Sequence, residues 1–310
     1  MISSYTLGIY PRSEERIEST RKNSSNLSSL FLKEKKEYIA LEKKAKLGFV
    51  CDPLLEWDDI FRPFAQLNSV KAAALNRIYE MNTFYRRLSF NGKALSDAGK
   101  IVKSNLAVSL LPKNRAVCLP EPYTFAERHV SSAYKKNDEF AIFLAKLLRK
   151  EIDSLTKAGF KLIQLIAPSI AYNINKVDLD LVYDALNIVT KNLKAKTILH
   201  FYFGDVSKKI GKLLDLPVSG LGFDTTSTPI SSIKKHSFSG KALAVGLVNS
   251  YNTKIENKKK CISEMNQILS KTKPEEAFVT TNFDLEYIPK EFARKKILIL
   301  GQIASGVRNV

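Results

Sequence analysis

Cysteine, histidine and methionine each occur three times in these 310 residues, and tryptophan once. Cys51, Cys118 and Cys261 are far apart and odd in number, which argues against a disulfide framework and against a thiolate metal knot. No stretch approaches the roughly 20 apolar residues that a bilayer span needs. The start, Met1-Ile-Ser-Ser-Tyr-Thr6, lacks a basic segment followed by an apolar one. Internal repeats, low-complexity tracts and linkers rich in proline, glycine or serine are missing too. So are the Gly-x-x-x-x-Gly-Lys-Ser/Thr, Gly-x-Gly-x-x-Gly, Gly-x-Ser-x-Gly and His-Glu-x-x-His motifs, which removes the commonest nucleotide, hydrolase and zinc-protease readings. Neither His129 nor His236 sits at a predicted strand end beside a serine, as a triad would need. A soluble, cytoplasmic protein in a reducing compartment, with no membrane partner, is the expectation.

What the chain has in excess is positive charge: 49 Lys and Arg against 31 Asp and Glu, a net +18. A field of that size draws polyanions or acidic proteins. The lysines are spread along helices among glutamates, as in Lys33-Glu-Lys-Lys-Glu37, and Lys258-Lys-Lys260 is the only dense run. No zinc-finger spacing, aromatic RNA-binding signature or basic tail accompanies them, which argues against nucleic acid. A polyanionic small molecule or a protein partner fits better.

Short β-rich runs alternate with longer amphipathic stretches from end to end, the pattern of a parallel sheet with crossover helices. Eight strands are predicted, at Tyr5–Tyr10, Leu47–Cys51, Ala116–Leu119, Lys161–Ile166, Thr197–Tyr202, Gly220–Phe223, Ala242–Val248 and Ala277–Thr281. The clearest helices are Asn137–Ala158, Asp178–Lys194, Lys254–Leu269 and Lys290–Ala304. Eight strands without a glycine-rich first turn suit an α/β (β/α)8 TIM barrel better than a doubly wound sheet. We expect one domain over residues 1–310 with an insertion at about 52–115. That insertion should hold two helices around Val70–Leu88 and a small hairpin at Phe90–Ala94, with residues 12–35 the loosest portion.

The strand ends carry the motifs. Tyr5-Thr-Leu-Gly-Ile-Tyr-Pro11, Leu54-Leu-Glu-Trp-Asp-Asp-Ile-Phe-Arg-Pro-Phe64 and Pro120-Glu-Pro-Tyr-Thr-Phe125, in that order, resemble the cobalamin-independent methionine synthase family, in its archaeal, catalytic-domain form. The resemblance implies a barrel of the methionine synthase/uroporphyrinogen decarboxylase-like kind. It also implies transfer of a methyl group from a methyl-folate to homocysteine, whose sulfur a zinc ion holds as thiolate. Carried over residue by residue, that zinc site reads His200 for its histidine, Tyr202 for its first cysteine, Asp224 for its glutamate and Phe283 for its second cysteine. His200 and Asp224 are thus remnant ligand positions, and zinc is expected to be absent. The family's Asp-Glu-Pro reads Ile166-Ala167-Pro168, and its Val-Asp-Ser-Arg reads Val248-Asn249-Ser250-Tyr251. Ile9 stands for the serine of the opening motif.

No residue stands out as catalytic, and the pocket candidates are Tyr10, His200, Tyr202, Asp224, Asn249 and Phe283, converging at C-terminal strand ends. Each has a plainer role. Asp224 before Thr225-Thr-Ser-Thr228 can cap the next helix, a strand-end histidine can bond a carbonyl, Cys51 can be a core thiol, and Trp57 can pack the insertion. Family precedent, in which a catalytic barrel is paired with a second, degenerate barrel, implies an accessory role. The chain would serve a homologous methionine synthase catalytic subunit or hold its polyglutamyl folate or methanopterin-like methyl donor. The alternatives are an active methyltransferase or decarboxylase-like enzyme with an altered site and, more distantly, an RNA-associated protein.

Overall fold

A computed structural model of the protein describes residues 2–81, 83–92 and 95–308. Among them the strands are β1 (Ile2–Tyr5), β2 (Val50–Cys51), β3 (Val70–Arg77), β4 (Phe84–Phe90), β5 (Arg115–Pro120), β6 (Val130–Ser131), β7 (Phe160–Ile166), β8 (Lys196–Phe201), β9 (Gly220–Asp224), β10 (Ala242–Val248) and β11 (Glu276–Thr281). The helices are α1 (Glu14–Arg21), α2 (Leu27–Lys44), α3 (Ile101–Ser104), α4 (Pro122–Arg128), α5 (Asn137–Lys157), α6 (Pro168–Tyr172), α7 (Leu179–Thr190), α8 (Ile210–Leu213), α9 (Ile230–Ile233), α10 (Lys258–Thr272) and α11 (Lys290–Gly306). Eight strands form one sheet in the order β1-β11-β10-β9-β8-β7-β5-β2, with helices in the crossovers, which is the (β/α)8 class. All seven residues of β10 are buried, as expected of a parallel strand covered on both faces.

The chain falls into two compact units, one of residues 1–56, 107–116 and 222–310, the other of residues 57–106 and 117–221. In the first, the Phe49 N–H donates to the Ser4 carbonyl at 3.1 Å, linking the approach to β2 with β1. Helix α11 lies against β1, β11, α2 and α10. A Cβ at Gly301 would come within 1.8 Å of the Ala45 carbonyl oxygen, so only glycine lets the end of α2 approach this closely. In the second unit, α5 packs on α4 and α7. Its buried Phe140, Phe143, Leu144, Leu147 and Leu148 recur at helical spacing. Glu151, from the same helix, accepts the N–H groups of Gly99, Ile101 and Val102, satisfying the start of α3.

Three expectations need correction. The first strand is Ile2–Tyr5, not Tyr5–Tyr10. Gly8 takes a φ of +59°, which ends the extended run, and Leu7, Ile9 and Tyr10 are buried in a loop. The alanine-rich stretch expected as helices around Val70–Leu88 is instead the antiparallel pair β3 and β4, with Val70 opposite Phe90. Tyr85, Leu88 and Phe90 are buried on β4, with a register irregularity between the Ala72–Leu88 and Leu75–Arg86 pairs, and burying them outweighs the helix propensity of alanine on the exposed β3. The hairpin expected at Phe90–Ala94 includes Lys93 and Ala94, which lie outside the described residues; Phe90 itself closes β4. Residues 12–35 are not the loosest portion. Ser13 caps α1, and Arg16 is only 1% exposed, with its Nη1 donating to the Leu55 carbonyl at 3.1 Å.

Candidate functional site

Asp224 is the last residue of β9 and is 1% exposed. Its Oδ1 accepts from the Thr226 N–H at 2.9 Å, the Thr226 hydroxyl at 2.6 Å and Asn282 Nδ2 at 2.9 Å. Its Oδ2 accepts from the Ser227 hydroxyl at 2.7 Å and the Tyr251 hydroxyl at 3.2 Å. A carboxylate offers about four lone-pair sites, so the donors around Asp224 occupy it fully. Its side chain ties the Thr225–Thr228 turn. It does not cap α9, whose N-cap is Pro229. Asn282 completes the join, accepting the Ser250 N–H at 2.7 Å while its own N–H donates to the Val248 carbonyl. Gly246 makes this possible, since a Cβ there would sit 2.7 Å from Asn282 Cα and 2.9 Å from the Phe223 carbonyl oxygen.

Phe283, just past β11, is buried between two other rings. Its centroid lies 5.7 Å from that of Tyr251 and 5.2 Å from that of Tyr287, with interplanar angles of 22° and 12°. This is an aromatic stack, and Tyr287 forms its solvent end at 39% exposure. Burial, with the negative charge of Asp224 second, pushes the Tyr251 hydroxyl well above the usual tyrosine range, so it stays protonated and donates. Asn249 accepts the Tyr251 N–H with its Oδ1 at 2.8 Å, closing its own turn. Glu256 then takes the Asn249 N–H at 3.0 Å, and the buried Lys296 Nζ lies 2.7 Å from the same carboxylate oxygen. The loop after β10 is thus anchored to α11.

In the same unit, the Tyr10 ring lies 4.6 Å from that of Tyr38, tilted at 58°, and Tyr10 donates its N–H to the Pro53 carbonyl. Burial raises its hydroxyl pKa, against the pull of Arg294. Tyr38 and Thr6 both donate to Glu42 Oε1 at 2.7 Å, while the Cys51 N–H donates to Oε2 at 2.7 Å. Burial pushes the Glu42 carboxyl up to about 7 despite these donors. Asp284 accepts the Ile9 N–H at 3.2 Å, and burial, reinforced by Glu286, raises its carboxyl well above the usual range.

The second unit holds His200 and Tyr202, at the end of β8. His200 is buried, faces Ile166 in register, and gives its carbonyl to the Ala167 N–H at 2.9 Å. Burial lowers its imidazole to about 3, so it is neutral at pH 7. Tyr202 is buried with its ring edge-on to Phe203 at 4.7 Å. Gly204 follows where a Cβ would meet the Ala171 carbonyl oxygen at 2.2 Å. Glu121, just past β5, is the N-cap of α4, accepting the N–H groups of Tyr123 at 2.7 Å and Thr124 at 2.8 Å, and burial raises it to about 7. Trp57 is buried with its indole donating to the Asn105 carbonyl at 3.3 Å, so it packs the segment after β2.

The structure thus links Asp224, Asn249 and Phe283 through Tyr251, places Tyr10 with Tyr38, and leaves His200 and Tyr202 in the other unit. The sequence alone does not mark Tyr251 and Asn282 as partners of Asp224, because separations of 27 and 58 residues leave no local pattern. The residues do not fit a zinc ion: Asp224 has no lone pair to spare, and Phe283 offers a ring already stacked on both faces. Among the described residues no three His, Cys, Asp or Glu side chains gather as a metal-binding group.

Compared with known proteins, the chain matches over residues 65–273 the model of a family described as the N-terminal domain of cobalamin-independent synthase. It is 26% identical over 304 residues to the methionine synthase of Sulfolobus acidocaldarius, covering 94% of this chain and 88% of that one. To the methionine synthase of Saccharolobus solfataricus it is 27% identical over 198 residues, covering 63% of this chain and 59% of the relative. It therefore spans less than two thirds of that relative's length. Among solved structures, a B12-independent methionine synthase from Shewanella sp. W3-18-1, in complex with selenomethionine, aligns with a TM-score of 0.74 at 17% identity, covering 98% of this chain and 96% of that one. A vitamin-B12-independent methionine synthase from Listeria monocytogenes aligns at 0.70 and 15% identity over the whole of both chains.

Proposed function

The chain belongs to the cobalamin-independent methionine synthase family, and from that premise we propose that it is an accessory barrel without zinc chemistry. It would serve a homologous methionine synthase catalytic subunit, or hold its polyglutamyl methyl donor, in methionine biosynthesis. The observation that carries this reading is the closed Asp224 cluster beside the Tyr251–Phe283–Tyr287 stack. Zinc activates a thiol by lowering its pKa, which takes open, deprotonated ligands. Here one remnant carboxylate is spent on five donors, and the position of a second sulfur is given to ring packing. The family match to one domain of a synthase supports a role beside another chain. The net +18 gives either kind of acidic partner a long-range attraction.

Metal analysis of the purified protein tests the reading first. No stoichiometric zinc is expected, and about one zinc per chain resisting mild chelator would overturn it. The protein alone should fail to methylate homocysteine. It should associate with a homologous catalytic core, or with polyglutamyl methyl-folate, more weakly as salt rises past about 0.15 M. Robust methyl transfer by the single protein, or no association with either at low salt, would favour the active-enzyme alternative or neither.

A further inference from the structure

We infer that the outer face of α10, flanked by α9 and the residues after α11, is a docking surface for a short acidic segment of a partner protein. Two grooves run along this helix. One, of about 550 Å³, reaches from Lys259 and Asn266 to Arg308, and the other, of about 410 Å³, reaches from Lys271 to Lys234 and Lys235. They share Gln267 and Ser270, so together they form one strip. No carboxylate among the described residues lines either groove. Among the described residues, none of these four lysines nor Arg308 takes part in an ion pair, whereas their neighbour Lys260 faces Glu264 at 4.0 Å.

The bareness of the strip is not just the chain's excess of lysine. A groove in the other unit, beside α7 and α8, is lined by Asp178, Asp180 and Asp215 as well as by Lys209 and Lys212, so acids and bases share its wall. Along this strip five cations, two of them on α10, are left to an outside partner. The chemistry of the strip selects a protein. No aromatic ring lines it, so it has no platform for stacking the bases of single-stranded nucleic acid. Four of its five cations are lysines, which hold carboxylates as point charges but lack the planar fork that favours bidentate phosphate contacts. Ser263, Asn266 and Gln267 add neutral donors for backbone carbonyls. From Lys259 to Lys271 the helix rises about 18 Å, the length of five or six residues of extended chain at about 3.3 Å each. The choice of a protein occupant accords with the accessory reading above, but the strip itself does not depend on it.

The test uses the full chain and a fluorescein-labelled peptide of repeated Asp-Glu-Ser, titrated at about 25 mM and about 200 mM salt. Binding at low salt that weakens at high salt is expected. The triple variant Lys234→Glu, Lys235→Glu, Lys271→Glu should weaken it by about tenfold or more, with the Lys→Gln triple between. The control triple Lys208→Glu, Lys209→Glu, Lys212→Glu carries the same net charge and should stay within about twofold. Equal weakening by both charge-reversal triples, no peptide binding at low salt, or tighter binding of an oligonucleotide of equal charge would overturn the proposal. Because the probe needs no synthase, a failed association with both the catalytic core and polyglutamyl methyl-folate alongside mapped peptide binding would sink the accessory reading and leave this surface standing.

Discussion

Two buried carboxylates end strands of this fold and are treated differently. Asp224, closing β9, meets five donors drawn from its own turn, from Tyr251 and from Asn282. Glu121, just past β5, meets only the two backbone N–H groups at the start of α4, and burial lifts it to about 7. The contrast teaches that a buried strand-end carboxylate can be tied into side-chain donors from distant elements or left to the backbone donors of the next helix. One strand end is a finished hydrogen-bonded joint, the other a group poised to change charge.

The largest expected effect breaks the joint. Asp224→Ala leaves five donors facing an empty space, and urea denaturation should show a loss on the order of 4 kcal/mol. A loss below about 1 kcal/mol would mean that water replaces the carboxylate and that the cluster is not closed.

Next comes the pH dependence of the poised group. A carboxyl whose pKa is raised on folding favours the native state when protonated, so its contribution is present below the unfolded pKa and declines as pH rises to the folded one. For Glu121 the window runs from about 4.3 to about 7, and stability should fall across it by roughly 3 kcal/mol. Glu42, also near 7, acts in the same direction. Glu121→Gln should therefore lose less stability than the parent between about pH 5 and about pH 7.5 in urea titrations. An unchanged slope would show that Glu121 does not titrate there.

Smaller changes sharpen the contrast. Tyr251→Phe keeps the ring stacked on Phe283 and deletes one donor of five, for a cost of about 1 kcal/mol. The remaining four donors should hold Asp224, so a loss like that of Asp224→Ala would make Tyr251 the keystone instead. Tyr287→Ala removes the half-exposed end of the stack and should shift thermal stability by about 0.5 kcal/mol, the least of the set.

The sequence makes the barrel strands legible where both faces are buried. The runs at β7, β8, β10 and β11 are rich in apolar residues, continuously so at β10, and their predicted bounds agree with the structure to within a residue or so. It misleads where tertiary packing overrides local preference. Ala72, Ala73 and Ala74 favour a helix on their own but become an edge strand because β4 needs a partner. At the candidate site, the positions at strand ends are visible as motifs. Their purpose is not, because whether Asp224 is a free ligand or a spent one depends on Tyr251 and Asn282, which only folding brings to it.

Lys296 illustrates a last consequence. Its ammonium is 0% exposed, held by Glu256 and by the Lys254 carbonyl at 2.6 Å. An amine-reactive reagent reaches the surface lysines of α9 and α10 at once but finds no path to this one in the native state. Its labelling becomes a timer for the opening of α11 from the loop after β10, read by mass spectrometry on a single peptide while the rest of the chain is already saturated.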